Sequence, residues 1–404
     1  MMKSILMVSD SLDASVGGAE LSTRDMIWLF SGNEIDVRFV TSTENKKTST
    51  DIATTHKKNF IGTYFQSDSR VKLRNYRGAL NYRALFSIWK AIKLRKPDVV
   101  VFNNISDQIS YASILLVKLL RVPAVHILRD TMALTHGKFV YGDSDAMFRV
   151  SYWAEARRTA FFFNPIKSIW AKYCLNKANA VISISHELSK FFTYNGVRVD
   201  EVIHNGVVIA KKNDANQSIA EVDGKTIFWP ARFSVLKGAL AILEMFSEIN
   251  DPFIKLVITA DKKDIKDERL LSIIGSNKNI LFTGWLSKTE IDTLYAKASV
   301  VVYPSLYLEP FGRVPVEAMS HKKPVIVSNC GGLREIVLHE YNGLVIDPEN
   351  KLEFIKAINK ICSDPAYASI LGENGYKRYK QHFTGDVMIK KYIALFDKLV
   401  RSHD

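Results

Sequence analysis

The stretch Glu309-Pro310-Phe311-Gly312-Arg313-Val314-Pro315-Val316-Glu317-Ala318-Met319-Ser320 places two carboxylates eight positions apart, with a Phe-Gly turn between them. Proline suits the first helical position, where its missing N–H costs nothing, so Pro315 marks an expected helix start. Gly312 lets backbone approach a ligand closely. A helix beginning there directs unpaired N–H groups, and the positive end of its dipole, at an anion in front of it. Glu309 precedes the turn and Glu317 falls in the expected first helical turn, so both can line one pocket from different sides. Carboxylates accept hydrogen bonds from hydroxyls. Two of them beside an anion-binding helix end suit a nucleotide sugar, with its ribose, diphosphate and hexose. Just upstream, Ala298-Ser299-Val300-Val301-Val302-Tyr303-Pro304-Ser305 reads as a buried strand ending in a Pro-Ser loop.

Outward from this stretch, strand and helix patterns alternate. Strands are expected at Ser4–Ser9, Ile35–Thr41, Asp98–Phe102, Ala124–Leu128 and Ala180–Ser185. A second series is expected at Thr226–Pro230, Ile254–Ala260, Ile280–Thr283, Ser299–Tyr303, Pro324–Ser328 and Gly343–Ile346. Helical patterns include Ala19–Phe30, Tyr82–Leu94 and Ile109–Leu120. Such alternation argues for parallel, doubly wound α/β sheets. At 404 residues the chain is long enough for two domains. The expected division is 1–207, a polar linker at 208–223, and 224–385, with a last helix, about 386–404, crossing back onto the first domain. Open sheets of this kind bind ligands beyond the carboxyl ends of their strands.

With 47% hydrophobic and 24% charged residues, the composition is that of a soluble globular protein. Cys174, Cys330 and Cys362 are far apart and odd in number, which suggests a reducing compartment rather than a disulfide framework or metal site. The apolar run near the N-terminus reads as a strand, not a signal peptide. Charge is uneven: residues 1–200 hold 28 Lys and Arg against 17 Asp and Glu, whereas 201–404 hold 27 against 25. Between 57 and 96 lie Lys57, Lys58, Arg70, Lys72, Arg74, Arg77, Arg83, Lys90, Lys93, Arg95 and Lys96, with one acid, Asp68. Such a cluster is an ordinary solvated face, or it meets an anionic membrane or lipid pyrophosphate. Nucleic acid is not expected, since no nucleic-acid-binding signature accompanies the charge.

The pattern at 309–317 resembles the E-x7-E motif of the retaining glycosyltransferases of family 4, which have the GT-B fold: two Rossmann-like domains facing a cleft. The resemblance extends over nearly the whole chain. It implies that a nucleoside diphosphate sugar is the co-substrate and that neither metal nor other cofactor is needed. Arg232 and Lys237, in Pro230-Ala231-Arg232-Phe233-Ser234-Val235-Leu236-Lys237-Gly238, match the family's diphosphate-gripping Arg and Lys-Gly. Fixed cations there stabilise charge that develops on the departing phosphate. By the same resemblance, Glu317 holds ribose hydroxyls, Glu309 contacts the hexose, and N–H groups around Phe311, Gly312, Arg313 and Val314 meet phosphate. Arg313 stands where an aliphatic residue is commoner. Gly284-Trp285-Leu286 looks like the base-binding turn, with a core role for Trp285 equally open. Gly17-Gly18 looks like the glycine loop that approaches the donor phosphates, and is not a dinucleotide fingerprint. Asn205 lies in a segment that matches the family's last stretch before the linker, as a cleft residue or a turn.

One departure stands out. Relatives often carry a His-Asp pair after the fourth strand, but here Arg129-Asp130 occupies it. Arginine cannot accept a proton near neutral pH, so Arg129 is read as a ligand for an acceptor phosphate or the departing diphosphate. His126 reads more readily as a satisfied core histidine than as a catalyst. Asp143-Ser144-Asp145 imitates a metal-binding D-x-D but reads as a polar turn. The aromatic and basic residues between Tyr152 and Tyr173 fit either a buried helix pair or an interfacial segment that admits a lipid-linked acceptor. The resemblance implies hexose transfer to a glycan hydroxyl in surface-polysaccharide assembly, in the cytoplasm at the inner membrane face. A sugar-nucleotide epimerase of the same scaffold and a non-catalytic binder are the competing readings.

Overall fold

The computed structural model describes residues 2–12, 17–43, 61–66, 74–137, 139, 148–159, 164–209, 225–249 and 251–402. The chain divides into two compact units, residues 1–206 with 385–404, and residues 207–384. The expected D-x-D turn and most of the expected linker fall outside the described residues.

In the N-terminal unit the strands are β1 (Ser4–Ser9), β2 (Asp36–Thr43), β3 (Ile61–Gln66), β4 (Val99–Phe102), β5 (Ala124–Leu128), β6 (Ala180–Ser183) and β7 (Glu201–Val202). They form one parallel sheet in the order β3-β2-β1-β4-β5-β6-β7. β1, β4, β5 and β6 are buried along their whole length. Helices cover both faces of such a sheet, so its strands read as continuous apolar runs. The helix Gly18–Gly32 packs against the C-terminal helix Gly385–Arg401. Phe30 stacks on Phe396 with ring centroids 5.8 Å apart and meets Tyr392 edge-on at 6.5 Å.

In the C-terminal unit β8 (Lys225–Trp229), β9 (Ile254–Ile258), β10 (Ile280–Phe282), β11 (Val300–Tyr303), β12 (Val325–Ser328) and β13 (Leu344–Ile346) form a second parallel sheet. Its order is β10-β9-β8-β11-β12-β13. The winding direction reverses between β8 and β11, because one connection leaves toward β9 and the other toward β12. A crevice opens beyond the carboxyl ends of two such strands, and it is the usual ligand site of the fold. β8 leads into the Arg232–Lys237 loop and β11 into the Glu309 loop. The topology therefore brings together two segments more than seventy residues apart.

Two strands of the first sheet, β3 and β7, have no counterpart in the sequence expectation. β3 lies in the stretch read as a basic solvated face, and β7 has only two residues. The helix expected from Pro315 begins at Arg313, with Gly312 as its N-cap at φ 101°. Proline is tolerated here because the third N–H of a helix has no intrahelical acceptor either. Glu317 consequently falls just past the first turn rather than within it.

Candidate active site

The loops after β8 and β11 are tied to each other. Leu306 N–H donates to the Leu236 carbonyl at 3.0 Å, and Ser305 Oγ donates to the same oxygen at 3.3 Å. A short 3-10 turn, Val235–Lys237, carries the lysine inward, and Gly238 follows at φ 83°. A Cβ on Gly238 would stand 2.1 Å from the Pro304 carbonyl oxygen, so only glycine allows these loops to lie this close.

Lys237 and Glu309 meet at the junction, with Nζ 2.5 Å from Oε1. The ammonium also donates to the Tyr303 hydroxyl, and to the Tyr307 hydroxyl at 2.9 Å. It lies 5.0 Å and 4.8 Å from the centroids of the same two rings. Glu309 additionally accepts from Tyr303 at 2.8 Å, from Ser305 at 2.8 Å and from Tyr307 at 3.0 Å. Four donors thus converge on a group that offers about four acceptor sites. Burial is the largest single influence on Glu309 and acts to raise its pKa. The Lys237 charge and the Lys237, Tyr303 and Ser305 hydrogen bonds together outweigh it, so the carboxyl is held below its ordinary value. The Tyr303 phenol is pushed well above its ordinary value, by burial first and by Glu309 next. It therefore stays a proton donor in the cluster. The lysine side chain keeps 18% exposure where Glu309 keeps 4%, so the cation is the member of the pair that solvent and a ligand can reach.

Glu317 anchors a second cluster in the same unit. Tyr295 donates to its Oε2 at 2.9 Å and Arg313 Nε donates to Oε1 at 3.2 Å, one helical turn apart. Arg313, which stands where an aliphatic residue is commoner, pairs with Glu317. Tyr295 is near enough to Tyr303 to raise its pKa, which links the two clusters. The helix Arg313–Ser320 starts between the two glutamates, and its first N–H groups have no intrahelical acceptor.

Gly331-Gly332 presses on the Glu309 loop. Gly332 N–H donates to the Glu309 carbonyl at 2.8 Å, and a Cβ on Gly331 would stand 2.2 Å from that oxygen. Arg232 is exposed in the loop after β8. Gly284 turns at φ 70°, and Trp285 is 69% exposed, which excludes the core reading of that tryptophan. Leu286 is half-buried beside it.

The N-terminal unit holds the remaining expected residues. Gly17 caps the helix that begins at Gly18, in extended backbone. Arg129 is buried. Its Nε donates to Asn103 at 2.5 Å, Nη1 donates to Asn205, and Nη2 lies 2.9 Å from the Met26 sulfur. Asn205 is buried as well and is one of the groups that hold the guanidinium. Asp130 accepts from Met132 N–H at 2.8 Å in the turn after β5.

His126 is buried against Tyr111, but its Nδ1 has no hydrogen-bond partner among the described residues, so within them it is a core histidine that is not fully satisfied. Burial, and then the Arg129 charge, lower its pKa to about 3. The unfolded chain protonates this ring near 6.5. Between about 3 and 6.5 the unfolded state therefore binds more protons, and stability falls as pH drops through that window. The contribution lost at pH 5 is about 2 kcal/mol. Urea unfolding should show the native protein losing about 2 kcal/mol more stability than His126→Leu between pH 7 and pH 5. Equal pH dependence in the two would contradict the assignment.

The functional residues missed in the sequence are the hydroxyl donors Tyr295, Tyr303, Ser305 and Tyr307. The signal for three of them was the spacing in Tyr303-Pro304-Ser305-Leu306-Tyr307, which places hydroxyls two, four and six residues before Glu309.

Comparison with known proteins agrees with this architecture. The Glycosyltransferase Family 4 model matches residues 16–211 and the Glycosyl transferases group 1 model matches residues 210–378. The chain belongs to the group 1 glycosyltransferases of family 4. An uncharacterized glycosyltransferase of Methanocaldococcus jannaschii is 26% identical over 278 residues, 68% of this chain and 69% of the relative. Sucrose-phosphate synthase from Thermosynechococcus elongatus superimposes with a TM-score of 0.76 at 20% identity, over 99% of this chain and 100% of that one. HepE from Anabaena, solved in complex with UDP-glucose, superimposes with a TM-score of 0.71 at 20% identity, over 98% and 100%. The shared fold is GT-B.

Proposed function

We propose that this glycosyltransferase moves a hexose from a nucleoside diphosphate sugar to a hydroxyl of a glycan acceptor, with retention of anomeric configuration. The observation that carries the donor half is the Lys237–Glu309 pair at the reversal point of the second sheet, beside the start of the Arg313–Ser320 helix. The relative solved with UDP-glucose supports a nucleotide-sugar donor. Lys237 leaves Glu309 for the diphosphate as the glycosidic bond breaks, Arg232 adds a second cation, and the helix N–H groups receive phosphate oxygens. Tyr303, Tyr307 and Ser305 keep Glu309 solvated while the lysine is engaged. Glu309 then offers the sugar an oriented carboxylate, and Glu317 offers the ribose another. The acceptor is assigned to the N-terminal unit, where Arg129 acts through the position it gives Asn103 and Asn205, with Asp130 next to it. A lipid-linked glycan at the inner face of the cytoplasmic membrane, in surface-polysaccharide assembly, is the setting this reading favours.

Incubation with a panel of UDP, GDP and ADP sugars should reveal slow donor hydrolysis with one of them, and product analysis should show the donor's anomeric configuration kept. Silence across the panel, with no binding by calorimetry, would overturn the reading. Epimer formation without acceptor would favour an epimerase, and binding without turnover in acceptor extracts would favour a non-catalytic binder. The leaving group is neutralised by protein cations, so excess EDTA should leave the hydrolysis rate unchanged; a loss restored by a divalent ion would contradict this. Glu317→Ala and Glu317→Gln should weaken donor binding about tenfold or more, as for hydrogen bonds to a charged group, with turnover at saturation little altered. Calorimetry on the variants, beside kcat and KM, checks the split.

A further inference from the structure

The strongest unassigned feature is a helical layer on the N-terminal unit. Connections β3→β4, β4→β5 and β5→β6 all step the same way along the sheet. Right-handed crossovers therefore place their helices on one face, opposite Gly18–Gly32, whose connection steps the other way. Three of these helices, Tyr82–Leu94, Ala112–Leu119 and Pro165–Lys177, pack side by side. Lys118 Nζ donates to the Lys177 carbonyl at 3.2 Å, and Trp170 Nε1 donates to the Ala79 carbonyl at 2.9 Å.

The outer side of this layer is not an ordinary solvated surface. On Tyr82–Leu94 the buried stripe is Ala84, Ser87, Ile88, Ala91 and Ile92. The opposite stripe exposes Tyr82 at 73%, Phe86 at 62% and Trp89 at 40%, and the last two stack at 5.7 Å. Pro165–Lys177 exposes Ile166, Ile169 and Tyr173 at helical spacing. The exposed neighbours of these apolar groups are Arg83, Lys90, Lys93, Lys172 and Lys177. The three helices contain no Asp or Glu. A face that mixes exposed aromatic and aliphatic groups with cations alone, on helices too short to span a bilayer, fits the headgroup and upper acyl region of an anionic membrane. A nucleic acid would use the cations but leave the isoleucines in water, and a second copy of this face would set cation against cation.

We propose that the outer face of the Tyr82–Leu94, Ala112–Leu119 and Pro165–Lys177 helices docks this enzyme on an anionic lipid bilayer. The inference is independent of the donor chemistry above. The test is flotation of the full chain with vesicles of phosphatidylcholine alone or with about one third phosphatidylglycerol, the fraction being an arbitrary choice that makes the surface strongly negative. Native protein should float with the anionic vesicles, bind the neutral ones about tenfold or more less well, and be released at about 1 M salt, where the Debye length shrinks to about 3 Å. Phe86→Ser with Ile169→Ser, and separately Lys90→Glu with Lys93→Glu, should each lose about tenfold or more in vesicle binding, with unchanged circular dichroism and donor hydrolysis. Equal binding by native and variant proteins, no binding to either vesicle, or light scattering that shows a dimer lost in Phe86→Ser with Ile169→Ser would each overturn the proposal. A duplex DNA probe that binds as tightly as anionic vesicles and is released by the charge reversal alone would do so as well.

Discussion

Lys237→Ala is expected to lower turnover by about two or more orders of magnitude, as for the removal of one preorganised donor from developing charge. A second effect should accompany it. Glu309 is 4% exposed at its side chain and, among the described residues, keeps only hydroxyl partners once the ammonium is gone. An uncompensated buried charge of this kind costs about 3–5 kcal/mol, offset in part by the three hydroxyls or by protonation of the carboxyl. The variant should therefore unfold at lower urea as well as turn over slowly. Arg232→Ala separates the two effects, because Arg232 is exposed. It should lose turnover by a similar factor with little change in unfolding. Kinetics with the donor that the panel identifies, beside urea unfolding, checks both. Near-native rates in both variants would refute the assignment of the cations.

Gly331→Ala tests the packing that sets the site rather than the chemistry in it. Gly331 has φ 56°, and an added Cβ would meet the Glu309 carbonyl oxygen at 2.2 Å and its nitrogen at 2.6 Å. Both contacts are backbone, so no side-chain rotation relieves them, and the Glu309 loop must move. The left-handed conformation alone costs a non-glycine residue about 1–3 kcal/mol. Displacing the loop breaks the Lys237–Glu309 geometry, and even about 1 Å of misplacement costs about a hundredfold in rate. The expected result is loss of turnover by about two orders of magnitude and a clear fall in thermal stability. Gly284→Ala is the control for stability, since Gly284 has φ 70° but open space around the added Cβ. It should lose less stability than Gly331→Ala. Equal losses in the two would show that the contact with Glu309 is not what requires glycine at 331.

The parts of this architecture that were legible in the sequence are those set by burial on both faces of a strand. Apolar runs such as Val99–Phe102 and Val325–Ser328 admit few other readings, because a parallel sheet covered by helices needs them. The same property hid the fate of Arg129. Every residue of β5 is buried, so alternation along Ala124–Leu128 does not say which way the chain turns beyond it. Arg129 could be read as reaching a phosphate, whereas its contacts with Asn103, Asn205 and Met26 form across three separate segments. β3 escaped notice because Ile61–Gln66 is one short edge strand within a basic stretch. The pairing of Lys237 with Glu309 was likewise illegible as a contact. Each residue was recognisable by its local motif, but their meeting depends on the reversal of strand order between β8 and β11.

The central claim is that one diphosphate sits where the Arg232–Lys237 loop, the Glu309 loop and the start of the Arg313–Ser320 helix come together. Hydrogen exchange of the full chain, with and without saturating UDP, GDP or ADP, tests it most directly. With the nucleotide that binds, amide protection should rise within 230–238 and 303–317 and should be lost in Lys237→Ala at the same concentration. Protection confined to other segments, or undiminished in Lys237→Ala, would contradict the account.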